Sequence, residues 1–296
     1  VVVGLSSLDE GESLVGVDTD ATQLIGGVTR FRPAAVVLGR VLSLVTKLKK
    51  WGGDRRDLRL HADDVALIRA VGAVNPRTVV VVIGGGTVIV DPWDCEVAGV
   101  LLAWYPGMEG GNAVADVLLG DAEPGGRLPV AIPHRRSDLP VVDWDARQVT
   151  YGRWWGQRKL DRDGIAAAYP FGFGLGYTTF ELDGLCVGPV DGECFSVSVT
   201  VRNTAARAGR HVVQVYGVRD CGRKGRVARD LLGFESVALE AGASRTVEVS
   251  CSTRPLQEWT GDGFVLSMDA VVVEAASYSG DPTAVAGTLK MPVSGG

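Results

Sequence analysis

The chain has 296 residues, 46% of them hydrophobic and 22% charged, enough for one large domain or two ordinary ones with real cores. Its net charge is −5 and its Lys and Arg residues are scattered, which argues against a nucleic-acid footprint, and no apolar stretch reaches the ~20 residues of a membrane span. Five cysteines (Cys95, Cys186, Cys194, Cys221 and Cys251) form no CxxC pair, and His61, His134 and His211 lie far apart. Buried or half-buried free thiols are therefore expected, with no metal and no other cofactor.

In chain order, Val1–Leu5 is an apolar run suited to a strand buried on both faces. It opens without a start Met or a basic leader, so the chain reads as a piece of a longer protein. The acidic loop Ser6–Leu14 (SSLDEGESL) follows. Residues 13–53 then break the rhythm as an insert. Within it, Pro33–Lys50 sets Val37, Val41, Val45 and Leu48 on one stripe, with Arg40, Lys47, Lys49 and Lys50 elsewhere. This is an amphipathic helix with a basic end, either packed on its host domain or docked on a membrane surface or partner.

Asp63–Val74 has helical spacing with acids in its first turn, and Asn75-Pro76 stops it. Thr78–Ile83 and Ala98–Trp104 read as buried strands and Gly111–Leu119 as a helix, so the first half is an α/β domain with a parallel sheet covered by helices. Gly84-Gly85-Gly86 follows a strand, but Thr87–Val90 continues as apolar extended chain. No helix N-terminus is offered to a pyrophosphate, and nucleotide binding is not expected.

The second half changes period. Phe195, Val197, Val199 and Val201 alternate with polar residues, as do Val213 and Val215, and Val247, Val249 and Cys251. Short strands between Gly- and Asp-rich turns indicate a β-sandwich, with the boundary near Leu182–Gly192. The expected domains are 1–182 and 183–296.

Four ordered blocks carry a family resemblance: Ala66–Trp93, Leu101–Pro133 (LLAWYPGMEGGNAVADVLLGDAEPGGRLPVAIP), Tyr169–Phe180 (YPFGFGLGYTTF) and Asp230–Leu239 (DLLGFESVAL). Together they resemble the C-terminal part of glycoside hydrolase family 3, the β-glucosidase and β-xylosidase family. The resemblance implies an α/β three-layer sandwich with a mostly parallel sheet, then a fibronectin-III-like, immunoglobulin-like β-sandwich. It further implies a retaining exo-β-glycosidase, most simply a β-glucosidase, acting on a β-glycoside or oligosaccharide. The two carboxyl groups of a retaining enzyme stand about 5–5.5 Å apart. In this family the nucleophile is an aspartate on an N-terminal barrel domain that nothing here resembles, so that domain is an implied partner and the isolated chain is expected to be inactive.

The acid/base of the family is a glutamate in a loop after a strand of the α/β domain. Glu10-Gly11 matches the family's Glu-Gly pair, and Glu12 fits equally if the loop is aligned to longer acidic loops. Asp54-Arg55, beyond the insert, matches the family's Asp-Arg and implies substrate binding. Three acids within four residues (Asp9, Glu10, Glu12) repel one another, which favours the proton a general acid must hold. Glu109 is read as a helix cap or a substrate contact. Trp51, Trp154 and Trp155 are candidates to stack on a sugar, with buried packing the plainer role. The glycines and rings of Tyr169–Phe180 suit a chain crossing between domains. The alternative function is a non-catalytic carbohydrate-binding or scaffold module.

Overall fold

Three short strands, β1 (Val2–Ser6), β2 (Val79–Ile83) and β3 (Gly99–Trp104), pair in parallel in the order β1-β2-β3. The structure, a computed structural model, describes residues 2–6, 57–143, 146–266 and 268–291. The insert at 13–53 lies outside the described residues. The chain forms two compact units, Val1–Gly111 and Asn112–Gly296.

In the first unit β2 is the central strand, and its Val80, Val81 and Val82 are buried, as a run of β-branched residues inside a parallel sheet should be. β3 differs from the expectation of full burial: all six residues are half-buried, because among the described residues it is the last strand of the sheet. Helix α1 (Ala62–Val74) buries Ile68 and ends at Asn75, whose extended backbone is what a following proline enforces. It comes so close to the turn Asp94–Glu96 that a Cβ on Gly72 would lie 2.6 Å from the Glu96 carbonyl oxygen. Arg69 closes that contact, its Nε donating to Glu96 Oε1 at 2.9 Å and its Nη2 to the Pro92 carbonyl at 2.8 Å. Trp93 is fully buried beneath it.

The second unit is dominated by a β-sandwich. β4 (Phe180–Val187), β5 (Cys194–Asn203) and β8 (Ser244–Ser252) form one antiparallel sheet in the order β4-β5-β8. β6 (Gly209–Asp220), β7 (Val227–Leu239), β11 (Ala270–Ala276) and β12 (Val285–Lys290) form the other, in the order β12-β11-β6-β7. A small hairpin, β9 (Glu258–Trp259) with β10 (Phe264–Val265), stands apart from both. The alternation read in β5 is the observed one: Phe195, Val197, Val199 and Val201 point inward against Val213, Val215, Val273 and Val249. Asn203 is fully buried yet satisfied, accepting from Thr178 Oγ1 and the Ala205 amide and donating to the Arg207 and Leu239 carbonyls.

Residues 112–179 belong to this second unit. They include most of helix α2 (Gly110–Leu119) and all of α3 (Gly156–Asp163). α3 is pinned to β7 by charge: Asp230, almost fully buried, is flanked by Arg158 and by Arg219 at 2.5 Å. The rings of the block Tyr169–Phe180 pack as its pattern suggests, and Leu175 is the exception. Tyr169 packs on Phe173, Phe173 on Tyr278 and Phe171 on Tyr216, but Leu175 is 73% exposed. Its glycines do the fitting. A Cβ on Gly174 would lie 2.5 Å from the Gly126 carbonyl oxygen, and one on Gly176 2.4 Å from Glu123 Oε1. The cysteine expectation also needs correction. Cys221 and Cys251 are buried, but Cys95, Cys186 and Cys194 are exposed, Cys186 and Cys194 because they fall on outward positions of β4 and β5.

Candidate functional site

Parallel pairing brings the carboxyl ends of all three strands of the first unit to one edge. Ser6 is level with Ile83, and Ile83 with Trp104. The chain therefore leaves β1 at Ser6 on the same edge as the turn Gly84–Gly86 and the stretch Tyr105–Glu109. This is the edge at which open parallel sheets bind ligands. Glu10, Glu12, Asp54 and Arg55 lie outside the described residues, as does Trp51; strand β1, which precedes the first two in the chain, is described.

The β3 side of the edge is tightly built. Trp104 is the one non-glycine residue with positive φ among the described residues, at 54°. Left-handed backbone on a bulky residue costs roughly 1–2 kcal/mol and persists only where its surroundings over-determine it. Here the register shifts between Val82 and Ile83, and the Gly84 amide donates to the Trp104 carbonyl at 3.3 Å. The next turn is equally tight: Gly107 has φ 71°, and a Cβ on Gly110 would lie 2.6 Å from Pro106 Cγ. Tyr105 and Met108 are held out from it, both well exposed. Sequence reasoning reached Glu109 and the helix after it but missed the Trp104 strain and the two projecting side chains; the Trp-Tyr-Pro-Gly order at a strand end is the available signal. Glu109 is exposed and immediately precedes α2, where a capping carboxylate would stand.

Gly84–Gly86 makes no phosphate loop. The chain runs on extended, Ile89 pairing in parallel with Arg59 and its amide donating to the Leu58 carbonyl at 2.8 Å, and no helix N-terminus follows the glycines. Among the described residues no group of three or more His, Cys, Asp or Glu side chains is arranged to hold a metal ion, and no helix is long and apolar enough to cross a membrane. Trp154 and Trp155 lie in the second unit. Trp154 is half-buried, with Arg153 5.2 Å and Arg162 4.7 Å from its ring centroid, whereas Trp155 is exposed beside Tyr151.

Comparison with known proteins accounts for both halves of the chain. Residues 1–177 match the profile of the glycosyl hydrolase family 3 C-terminal domain, and residues 211–279 that of the fibronectin type III-like domain. An exo-α-(1→6)-L-arabinopyranosidase of Bifidobacterium longum is 36% identical over 74% of this chain and 30% of that protein. A β-glucosidase of Rhizobium radiobacter is 40% identical over 73% of this chain and 28% of that protein. The crystal structure of a family 3 β-glucosidase from Bifidobacterium adolescentis superposes with a TM-score of 0.72 at 32% identity, covering 80% of this chain and 36% of that one. The chain thus spans about a third of the length of the relatives it matches, and it belongs to glycosyl hydrolase family 3, as a C-terminal domain followed by a fibronectin type III-like domain.

Proposed function

We propose that this chain is the C-terminal part of a retaining exo-β-glycosidase, a β-glucosidase by preference, and that it supplies the general acid/base. Glu10 or Glu12 protonates the glycosidic oxygen as the bond breaks. The same group then takes the proton from the water that releases the sugar. Asp54 and Arg55 hold the loop and the sugar hydroxyls. The aspartate nucleophile comes from a barrel domain outside residues 1–296. On this reading residues 1–182 are an α/β three-layer sandwich with a mostly parallel sheet, and 183–296 the fibronectin-III-like sandwich.

The observation that supports the proposal is the parallel register of β1 with β2 and of β2 with β3, which brings the carboxyl ends of the three strands to one edge, the kind of edge at which open parallel sheets bind ligands. The relatives' names support a terminal sugar with an equatorial leaving group, since an α-L-arabinopyranoside presents the same anomeric geometry as a β-D-glucoside.

The test compares this chain with the protein that includes the preceding domain, using an aryl β-glucoside as substrate. The longer protein should turn it over and residues 1–296 alone should not. Appreciable turnover by the chain alone would show that it holds both carboxyl groups and would end the divided-site reading.

A further inference from the structure

The end of β3 holds a strain that the other described residues avoid. Val82 pairs with Leu102 and Ile83 with Trp104, so Ala103 is left over as a β-bulge. Left-handed residues in bulges are ordinarily glycine, which has no Cβ to clash. Twelve other described residues have positive φ and all twelve are glycine, whereas here the chain keeps a half-buried tryptophan at 54°. Strained backbone of this kind clusters at functional sites, and bulges beside such sites re-aim a side chain.

The side chain that this bend directs is that of Tyr105, the first residue past it. The bend is held from both sides, by the Gly84 amide on the Trp104 carbonyl and by the close turn of Pro106, Gly107 and Gly110. Ser6 pairs with Ile83 and Ile83 with Trp104, so β1 and β3 end about 10 Å apart across β2. Glu10 and Glu12 follow β1 in the chain. In a retaining glycosidase the general acid stands by the glycosidic oxygen, on the side where the leaving group departs, and the nucleophile stands on the other. The domain that carries the acid therefore meets the leaving group. A neutral aromatic ring there suits a leaving group with a flat apolar face.

We propose that Trp104 is a positioning residue whose left-handed backbone aims Tyr105 at the leaving group of the glycoside, and that the Tyr105 ring selects among leaving groups. The ligand's chemistry rests on the glycosidase reading above, whereas the aiming rests on the bulge. Steady-state kinetics of the protein that includes the preceding domain test it, with an aryl β-glucoside and methyl β-glucoside as the two probes.

Tyr105→Ala should lower kcat/KM for the aryl glucoside by about tenfold and for the methyl glucoside by less, and Tyr105→Phe should keep most of the aryl activity. Trp104→Ala and Trp104→Gly both remove the indole, but only glycine takes φ 54° without a clash. Trp104→Ala should therefore reproduce the selective loss of Tyr105→Ala, and Trp104→Gly should recover most of it. Equal losses on both probes in Tyr105→Ala, or Trp104→Gly no more active than Trp104→Ala, would overturn the proposal. If a Trp104 variant loses its cooperative melt, the exposed Tyr105 decides: a loss selective for the aryl probe supports the aim, and an equal loss overturns it. Absence of hydrolysis by the parent protein removes the glycosidase reading and this proposal with it. Hydrolysis indifferent to both residues removes this proposal alone.

Discussion

Replacing Gly172 by Ala should destabilise the second unit severely, although the change adds a single methyl group. Gly172 has φ 82°, a conformation that costs an L side chain roughly 1–2 kcal/mol. The added Cβ would also lie 2.0 Å from Gln214 Oε1 and 2.6 Å from the Tyr216 hydroxyl. Both are buried and mutually bonded. Tyr216 Oη donates to Gln214 Oε1 at 2.6 Å, and Gln214 Nε2 donates to the Gly172 carbonyl at 2.9 Å and also to the Ser277 carbonyl. Pushing Gln214 aside leaves buried polar groups without partners, at about 1–3 kcal/mol. The combined loss is about 2–5 kcal/mol, a large part of a typical domain's stability. Urea unfolding followed by near-ultraviolet circular dichroism measures it. Leu175→Ala, in the same motif but largely exposed, should change stability by less than about 0.5 kcal/mol. A loss below about 1 kcal/mol for Gly172→Ala would refute the reasoning, because it would mean that Gln214 moves at no cost.

Two further outcomes follow from burial. His211 has its pKa pushed down to about 4, first by burial and then by the Arg127 guanidinium, with Asp281 opposing. The unfolded chain therefore binds a proton near pH 6.5 that the folded one refuses. About 3 kcal/mol of stability present above pH 6.5 should be lost as pH falls through about 4, and His211→Gln should flatten the midpoint-versus-pH curve in that window. A thiol reagent should modify Cys95, Cys186 and Cys194 in the folded chain, and Cys221 and Cys251 only on unfolding. Burial holds the Cys251 thiol up at about 12, and titration of the native protein with mass spectrometry reads out the labelled residues.

The strands were legible because their cause is local: Val197, Val199 and Val201 alternate in the sequence as they do in space. The ends of α1 were legible for the same reason, through Asp63 and Asp64 at the start and Asn75-Pro76 at the stop. What stayed hidden depends on partners brought together by folding. Asp230 gives no sign that it will be buried between Arg158 and Arg219, nor His211 that it will lie against Phe180. The glycines of Tyr169–Phe180 were visible as a pattern, but the close approaches that require them involve Gln214, Gly126 and Glu123. At the candidate site, the family resemblance points to the acidic loop as an expectation, while the left-handed Trp104 and the projecting Tyr105 and Met108 go with a register shift between Val82 and Ile83.

Chemical rescue tests the acid/base role of the acidic loop most directly. In the protein that includes the preceding domain, Glu10→Ala combined with Glu12→Ala should lower kcat/KM for an aryl β-glucoside with a poor leaving group by about 10²–10⁴-fold. With a good leaving group, added azide should restore turnover and yield the β-glycosyl azide. Turnover unchanged by the double substitution, or lost without any azide product, would contradict the assignment.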